Sequence, residues 1–289
     1  MENTFKQQAM IYRRKPLSLV LRGIVWACGI FTVGILLFLL GFILVNGLPY
    51  INLDFLTQEY NSENLSALSS IVATLEMIFF SLLFSVPVGV FSAVYLAEYA
   101  RRGSRLVKMV KLAVETLAGI PSIIYGLFGM ILFVTMLGWQ TSMLAGICTL
   151  SIMVLPVIIS SSEEALRAVP DSYREGSYGL GASRLRTVFG IVLPTAVPGI
   201  LSGVILAIGR IVGETAALIF TSGTNVGNVT VDVMKSQRTL AIHMYMLANE
   251  GLPHSRQMAF ATGSILILVV LAVNLAASKL AAKLKMEQK

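Results

Sequence analysis

Six runs of predominantly apolar residues, each long enough to cross a lipid bilayer as a helix, limit what this chain can fold into. About 20 apolar residues in helical form span a hydrocarbon core of roughly 30 Å. Of the 289 residues, 56% are hydrophobic and 13% are charged, whereas a soluble domain averages about 25% charged residues. The runs lack the alternation typical of membrane-spanning β-strands. The sequence therefore predicts an all-α, polytopic membrane protein with six transmembrane helices. The predicted spans are 23–46, 68–96, 112–137, 142–162, 192–220 and 258–280.

Positively charged residues alternate between the two sides of the predicted bundle. Of the 22 lysine and arginine residues, 18 lie in the N-terminal arm, the second connection, the fourth connection and the C-terminal tail. The first and third connections have none. Because loops rich in lysine and arginine stay on the cytoplasmic side, we expect both termini there. The predicted topology thus accounts for the net charge of +7. No folded domain offers the clustered basic face that nucleic-acid binding needs.

The chain is predicted to form one membrane domain and no soluble domain. We expect a cytoplasmic arm over 1–22, a transmembrane domain over 23–283 and a cytoplasmic tail over 284–289. Neither the two isolated cysteines nor His243 and His254 show metal-ligand spacing, so we predict no metal site and expect both histidines at the surface. The spans contain no pairing of nucleophile and base, which argues against an intramembrane enzyme.

The loop over 163–191 is long for a simple connection and too short for a domain. Asp171 is placed to cap a first short helix, and Ser183 to cap a second one. Gly181 permits a turn between them. We expect two short helices at an angle, which present charged side chains to the cytoplasm; the alternative is a merely solvated loop. The side chains concerned are Arg174, Glu175, Arg184 and Arg186.

Two ionisable residues, Arg210 and Glu214, lie within the predicted fifth span. Such side chains face the protein interior or water, because they cost about 2.5–3.5 kcal/mol to insert. Four residues apart on a helix, they are expected on one face, where they can pair. One interpretation is an internal salt bridge. The other is an anion site, in which the arginine binds a tetrahedral oxyanion and the carboxylate accepts a hydrogen bond from a protonated phosphate.

The third predicted span contains Gly119-Ile120-Pro121 near its middle. Proline removes an amide donor and clashes with the preceding turn, so we expect the helix to weaken there. Backbone groups freed at membrane depth persist only where they are buried or line a cavity. Ser122 and Tyr125 could then offer hydroxyl groups to a passing ligand; a plain proline kink is the alternative.

Several motifs together resemble the phosphate permeases of ATP-binding-cassette (ABC) importers, the PstA family. These motifs are LAGIPSIIYGLFG, EEALRAVPDSYREGSYGLGAS, GRIVGETAALIFTSG, AEYA at 97–100 and IHMYMLANEG at 242–251. The spacing from Glu175 through Gly181 to Pro194 is similar to the cytoplasmic EAA loop of ABC permeases, on which the ATPase subunit docks. In this chain Gly176 and Ser177 replace the two alanines of that pattern.

The resemblance implies a type I ABC importer permease fold in the bacterial inner membrane and a role in phosphate transport. It implies three partners: a homologous permease of the PstC type, a dimer of PstB-type ATPases and an extracytoplasmic binding protein of the PstS type. Arg210 matches the family's translocation arginine by its place in GRIVGE. The implied ATPase-docking residues are Arg174, Glu175, Gly176, Ser177, Gly181 and Arg184.

The chain contains no GxxxxGK[ST] phosphate loop, so we expect ATP and magnesium to be used by the partner ATPase and no cofactor to be bound here. We therefore predict a transport subunit that is not itself an enzyme. Two alternatives stay open. One is a permease for molybdate, sulfate or phosphonate. The other is an ion-coupled secondary transporter that uses Glu76, Glu115 and Glu214, although we find no internal repeat of the kind such transporters show.

Overall fold

The computed structural model describes most of the chain: residues 16–61, 64–101, 103–227, 229–230, 232–251 and 254–286. Most of the predicted N-terminal arm and the last residues of the predicted tail lie outside these ranges. Within the described residues the secondary structure is helical, with no strand. The α-helices are α1 (Pro16–Gly47), α2 (Leu53–Thr57), α3 (Leu68–Val94), α4 (Arg105–Ala118), α5 (Ser122–Gly129), α6 (Met143–Arg167), α7 (Asp171–Gly179), α8 (Arg184–Thr187), α9 (Leu193–Gly213), α10 (Ala216–Thr221), α11 (Leu240–Asn249) and α12 (Ser255–Met286).

Three π-helical segments continue membrane helices without a break. Tyr95–Tyr99 follows α3, Met130–Met136 follows α5, and Val188–Val192 joins α8 to α9. Five continuous segments are long and apolar enough to cross a membrane, and a bent pair makes a sixth if it is counted as one span. The chain is therefore a multi-pass helical membrane protein, as the sequence predicts. The five segments are Val20–Tyr50, Leu68–Tyr99, Met143–Arg167, Arg184–Gly213 and Ser255–Lys279.

The predicted third span is not one helix. Arg105–Ala118 and Ser122–Met136 meet at an angle of 101°. The break falls at Gly119-Ile120-Pro121, where the sequence predicts a weakened helix, because Pro121 has no amide to continue the hydrogen-bond ladder. The predicted span of 112–137 thus joins the second half of one helix to the whole of the next.

The helix of the fifth span begins and ends earlier than predicted. It starts at Arg184 and ends at Gly213, so α8 is its first turn rather than a separate loop helix. A break at Glu214 and Thr215 separates it from α10. The connection between α6 and α8 consequently contains a single separate helix, α7.

The core of the described bundle is built around α6, which packs against both α3 and α9. Its side chains Ile147, Leu150, Met153 and Ile158 are at most 1% exposed. Met77 of α3 belongs to the same apolar cluster. This core fixes the relative positions of the helices that carry the candidate site.

The first membrane helix lies on the outside of this bundle. None of its most apolar stretch is buried, and Phe31 and Phe38 are more than two-thirds exposed. Its contact with α12 is confined to its last turns, where the Phe42 and Phe260 rings meet edge to face at 5.7 Å. Such a surface suits lipid or another membrane subunit.

Candidate functional site

Arg210 is the only ionisable residue of the membrane helix between Val188 and Gly213. Its side chain is half-buried and forms no hydrogen bond or ion pair with any described residue. It lies within Coulombic range of Tyr125 in the third span. On the same helix, a Cβ atom added at Gly209 or Gly213 would meet nothing within 4 Å, so this face is open within the described chain.

Glu214 does not pair with Arg210, so the expectation of one shared helical face is wrong. The helix ends at Gly213, and Glu214 adopts an extended backbone with ψ 127°. Its buried carboxylate accepts a hydrogen bond from the Ala217 amide at 3.0 Å and caps α10. Free amides at a helix start favour a carboxylate in this position. The Arg210 charge is thereby left without a counter-charge from the described residues.

The break in the third span places α5 directly against α10. A Cβ atom at Gly126 would come within 2.7 Å of the Ala217 Cα, so only glycine permits this approach. The Tyr125 hydroxyl donates a hydrogen bond at 2.9 Å to the Leu117 carbonyl, which also accepts from the Ile120 amide at the bend. Ser122 is half-buried and has no hydrogen-bond partner among the described residues. Both predicted hydroxyl groups thus lie at the bend, and the Tyr125 proton is already engaged.

The loop between α6 and α8 is held by short-range hydrogen bonds around Gly181. Gly181 has φ +82°, a conformation that favours glycine, and its amide donates to the Tyr178 carbonyl at 2.9 Å. Ser183 caps α8 by accepting from the Arg186 amide, as predicted. The buried hydroxyl groups of Ser177 and Thr187 lie 2.8 Å apart and join α7 to α8. The predicted cap by Asp171 is wrong, because Pro170 precedes the first turn and no side chain caps it.

A buried ion pair attaches this loop to the end of the second span. Glu98, in the π-helical segment after α3, is 5% exposed. It accepts hydrogen bonds from Arg174 Nη2 at 2.7 Å and Nε at 3.2 Å. The same guanidinium donates to the carbonyl groups of Leu166 and Val169. The hydrogen bond that Arg174 donates to Glu98 is the main reason that the pKa of Arg174 lies above its usual value.

A second arginine, which is exposed, also contacts the end of the second span. Arg184 Nη2 donates to the Glu98 carbonyl oxygen, and its guanidinium carbon lies 5.1 Å from the centre of the Tyr99 ring. Arg174 and Arg184 thus position the loop, whereas the sequence predicts that they present their charges outward. Glu175 and Arg186 are exposed as predicted, and Arg184 is exposed as well but is held by these contacts with the second span.

The outward face of the loop is apolar to a degree unusual for a loop in water. Leu180 is 91% exposed and Leu185 62% exposed, and Leu180 lines the same surface as Gly176, where an added Cβ atom would meet nothing within 4 Å. A shallow cleft of about 590 Å³ next to them is lined by Tyr173, Gly176, Leu180 and Gly181, among others. Exposed apolar patches with polar rims mark sites of protein association.

A further ion-pair cluster was not predicted from the sequence. Glu163 near the end of α6 accepts from Lys111 Nζ at 2.5 Å and from Arg167 Nε at 2.7 Å. Lys111 belongs to α4, so this cluster ties the helix before the bend to the helix before the loop. The spacing of Glu163 and Arg167, four residues apart on a helix, was the available signal.

His243 is fully buried, which corrects the expectation that it lies at the surface. It packs edge-on against the Tyr60 ring, and the Arg238 guanidinium lies 4.9 Å from the same ring. Burial, reinforced by the Arg238 charge, lowers the pKa of His243 to about 3. No cluster of metal-ligating side chains occurs in the part of the chain that the structure describes.

Relatives in sequence extend over almost the whole chain. The probable ABC transporter permease protein YqgI of Bacillus subtilis (strain 168) is 31% identical over 281 residues, covering 91% of this chain and 95% of that protein. The phosphate transport system permease protein PstA of Yersinia pestis is 31% identical over 289 residues, covering 99% and 96%. These relatives confirm the resemblance to ABC permeases that the motifs indicate.

Solved structures with the same fold are also ABC transporters. A chain of the inward-facing MetNI methionine transporter matches with a TM-score of 0.58 and 22% identity, covering 75% of this chain and 93% of that chain. A bacterial transporter involved in the import of alginate matches with a TM-score of 0.63 and 18% identity, covering 96% and 99%. These likenesses show the type I ABC importer permease fold.

Residues 85–286 match the family described as the inner membrane component of binding-protein-dependent transport systems. The match includes the loop around Gly181 and Arg210 of the fifth span, and it covers more than two-thirds of the chain. The chain therefore belongs to the family of inner-membrane components of binding-protein-dependent transport systems.

Proposed function

We propose that this chain is the permease subunit that carries inorganic phosphate across the bacterial cytoplasmic membrane in an ABC importer. The observation that carries the proposal is Arg210, a permanent charge within a membrane helix for which the described residues supply no counter-charge. A mobile anion offsets the cost of that charge each time it passes. Near-full-length relatives named as phosphate permeases support phosphate as this anion.

The guanidinium of Arg210 suits phosphate because it offers several donors in one plane and stays charged at any working pH. The Glu214 oxygen not used to cap α10 is available to accept a hydrogen bond from a protonated phosphate. Ser122 and Tyr125 line the bend of the third span near this path. In this proposal Glu214 also favours phosphate over sulfate, which has no proton to donate at neutral pH.

The apolar outer face of the loop is the proposed dock for an ATPase subunit of the PstB type. Leu180 and Leu185 would enter an apolar groove of the ATPase, while Glu175, Gly176 and Gly181 shape the contact. Ser177, Arg174 and Arg184 hold the loop in place from within. ATP and magnesium are used by that partner, and this chain binds no cofactor.

The remaining partners follow from the open surfaces. A homologous permease of the PstC type would cover the face at Gly209 and Gly213, and a binding protein of the PstS type would deliver phosphate on the opposite side from the loop. ATP-driven closure of the ATPase dimer then moves the loop and rocks the spans around Arg210, so that the path opens to each side in turn.

The clustered lysines and arginines support a cytoplasmic position for the arm over 1–22, the loop and the tail over 284–289. An impermeant thiol reagent tests this orientation in a background without Cys28 and Cys148. A cysteine at Ser236 should react in intact cells, and one at Ser183 only after the membrane is opened. Labelling of the Ser183 position in intact cells would contradict the orientation and the docking proposal together.

A permease for molybdate, sulfate or phosphonate would use the same arginine, so substrate competition is the direct test of the transported ion. Labelled phosphate uptake is measured in cells that express the full set of subunits, with each competitor added in excess. We expect unlabelled phosphate to abolish the uptake and the other oxyanions to leave it largely unchanged. Equal inhibition by sulfate or molybdate would reassign the substrate while leaving the ABC permease assignment in place.

A further inference from the structure

Helix α4 is bent away from the rest of the predicted third span. Its 14 residues extend about 21 Å, which is too short for the hydrocarbon core. It makes an angle of 101° with the segment Ser122–Met136, which continues into the bundle. It contains no buried residue, and it follows directly after the second span ends. A short helix at nearly a right angle to the segment that enters the bundle suits a position along the membrane surface.

The two faces of α4 differ in the way that a membrane surface requires. Leu106, Val110 and Leu117 lie on one face of the helix, and all three side chains are exposed and would reach into hydrocarbon. Lys108 is exposed on the opposite face, Arg105 is exposed at its flank, and Arg101 precedes the helix. None of these three cations pairs with a described carboxylate, whereas Lys111 on the next turn is bound by Glu163. This pattern is typical of a helix at the membrane interface.

Two clefts of different polarity adjoin each other beside α4 and share Leu96. The apolar cleft, of about 370 Å³, is lined by Phe91, Ser92, Tyr95, Leu96 and Val110. The polar cleft, of about 570 Å³, is lined by four arginines and two carboxylates, which leaves an excess of two positive charges. The arginines are Arg101, Arg167, Arg174 and Arg184, and the carboxylates are Glu98 and Asp171.

We propose that an anionic phospholipid of the inner leaflet binds in this double cleft. Its phosphate group would lie near Arg101 at the polar end, and one acyl chain would follow the apolar end past Tyr95 and Val110. The apolar cleft favours a lipid over a free anion, and the unpaired cations favour an anionic lipid over a zwitterionic one. The lipid would lie between α4 and the loop that Arg174 and Glu98 attach to the second span.

Native mass spectrometry of the intact transporter complex, titrated with phosphatidylglycerol or phosphatidylethanolamine, tests this inference. Each basic residue near a membrane surface contributes about a fivefold increase in affinity for an anionic lipid. The variant Arg101→Gln with Lys108→Gln should therefore bind phosphatidylglycerol about 25-fold more weakly and phosphatidylethanolamine unchanged. Ser92→Phe, which fills the apolar cleft, should weaken binding with every charge in place.

The matched control removes two exposed cations from the other end of the bundle, Lys235→Gln with Arg256→Gln. This control should keep its full affinity for phosphatidylglycerol. If it lost as much affinity as the Arg101→Gln, Lys108→Gln variant, the loss would reflect net charge alone, and that result would overturn the site. Inorganic phosphate has no acyl chain. If it bound the complex as tightly as phosphatidylglycerol does, that result would overturn the lipid in favour of a free-anion site. Loss of the partner permease or the ATPase from the double variant would show instead that a protein covers the cleft.

These readouts are independent of phosphate transport, so the lipid site and the proposed function can fail separately.

Discussion

At the scale of single residues, the most important contacts join positions that are far apart in the chain. Glu98 and Arg174 are separated by 76 positions, and no pattern in one sequence pairs them. The inward direction of Arg174 could not be predicted for the same reason. Arg210 was different, because a lone charge in an apolar run is conspicuous in the sequence itself. What the sequence could not show was that Glu214 turns away to cap the next helix.

The Glu98–Arg174 pair should couple the loop to the second span. Glu98→Gln leaves a largely buried guanidinium without its counter-charge, and breaking a buried pair costs about 3–5 kcal/mol. We expect faster hydrogen exchange over residues 168–183 and ATP hydrolysis that no longer responds to the binding protein. Glu175 is exposed on α7, the helix that carries Arg174, so Glu175→Gln is the control and should leave the exchange rates unchanged. Unaltered exchange in Glu98→Gln would mean that the pair does not hold the loop.

The buried His243 predicts how stability depends on pH. The ring stays neutral in the folded protein down to about pH 3, whereas in the unfolded chain it takes up a proton below about pH 6.5. The free energy of unfolding should therefore fall by up to about 1.4 kcal/mol for each pH unit below 6.5. His243→Gln should flatten thermal-unfolding midpoints measured between pH 7 and pH 5, while His254→Gln, at an exposed position, should not. An unchanged pH dependence in His243→Gln would contradict this origin.

At the scale of elements, helix breaks with a chemical cause in the sequence were predictable, and others were not. The break at Pro121 follows from a missing amide. The break after Gly213 has no proline, and its four-residue Arg210–Glu214 spacing favoured a continuous helix. The burial of His243 had a weaker signal in the sequence, the apolar residues Ile242 and Leu247 near it in the same helix. The turn at Gly181 was predictable because glycine readily adopts the backbone conformation that a tight turn requires.

The turn at Gly181 should be sensitive to backbone strain alone. A side chain at this position meets no atom within 4 Å, but the φ of +82° disfavours a β-branched residue. Gly181→Val should cost about 1–2 kcal/mol in the loop and reduce ATPase recovered with the tagged permease by roughly tenfold. Asparagine tolerates this conformation, so Gly181→Asn should retain most of the ATPase. Equal recovery with valine would show that the turn does not shape the docking surface.

At the scale of the whole molecule, the described chain leaves two of its surfaces uncovered. The first helix is exposed along its apolar length, and the face around Gly209 and Gly213 is open. The same arrangement leaves Arg210 half-buried and unpaired at that face. A second membrane subunit would close the path and make the arginine an interior charge. Membrane class and helix count were predictable from apolar length, whereas the open face depends on packing that one sequence does not contain.

Arg210 is proposed to bind the transported anion, with no role in neutralising Glu214. Phosphate uptake and the yield of assembled complex, measured together for four variants, test it most directly. Arg210→Gln should abolish uptake without loss of complex, and Arg210→Lys should transport poorly because a point charge lacks the planar fork. Glu214→Gln should retain some uptake with an altered pH dependence, since its neutral amide oxygen still accepts the Ala217 hydrogen bond. The Arg210→Gln, Glu214→Gln double variant should remain inactive, and recovery of uptake in it would contradict the account.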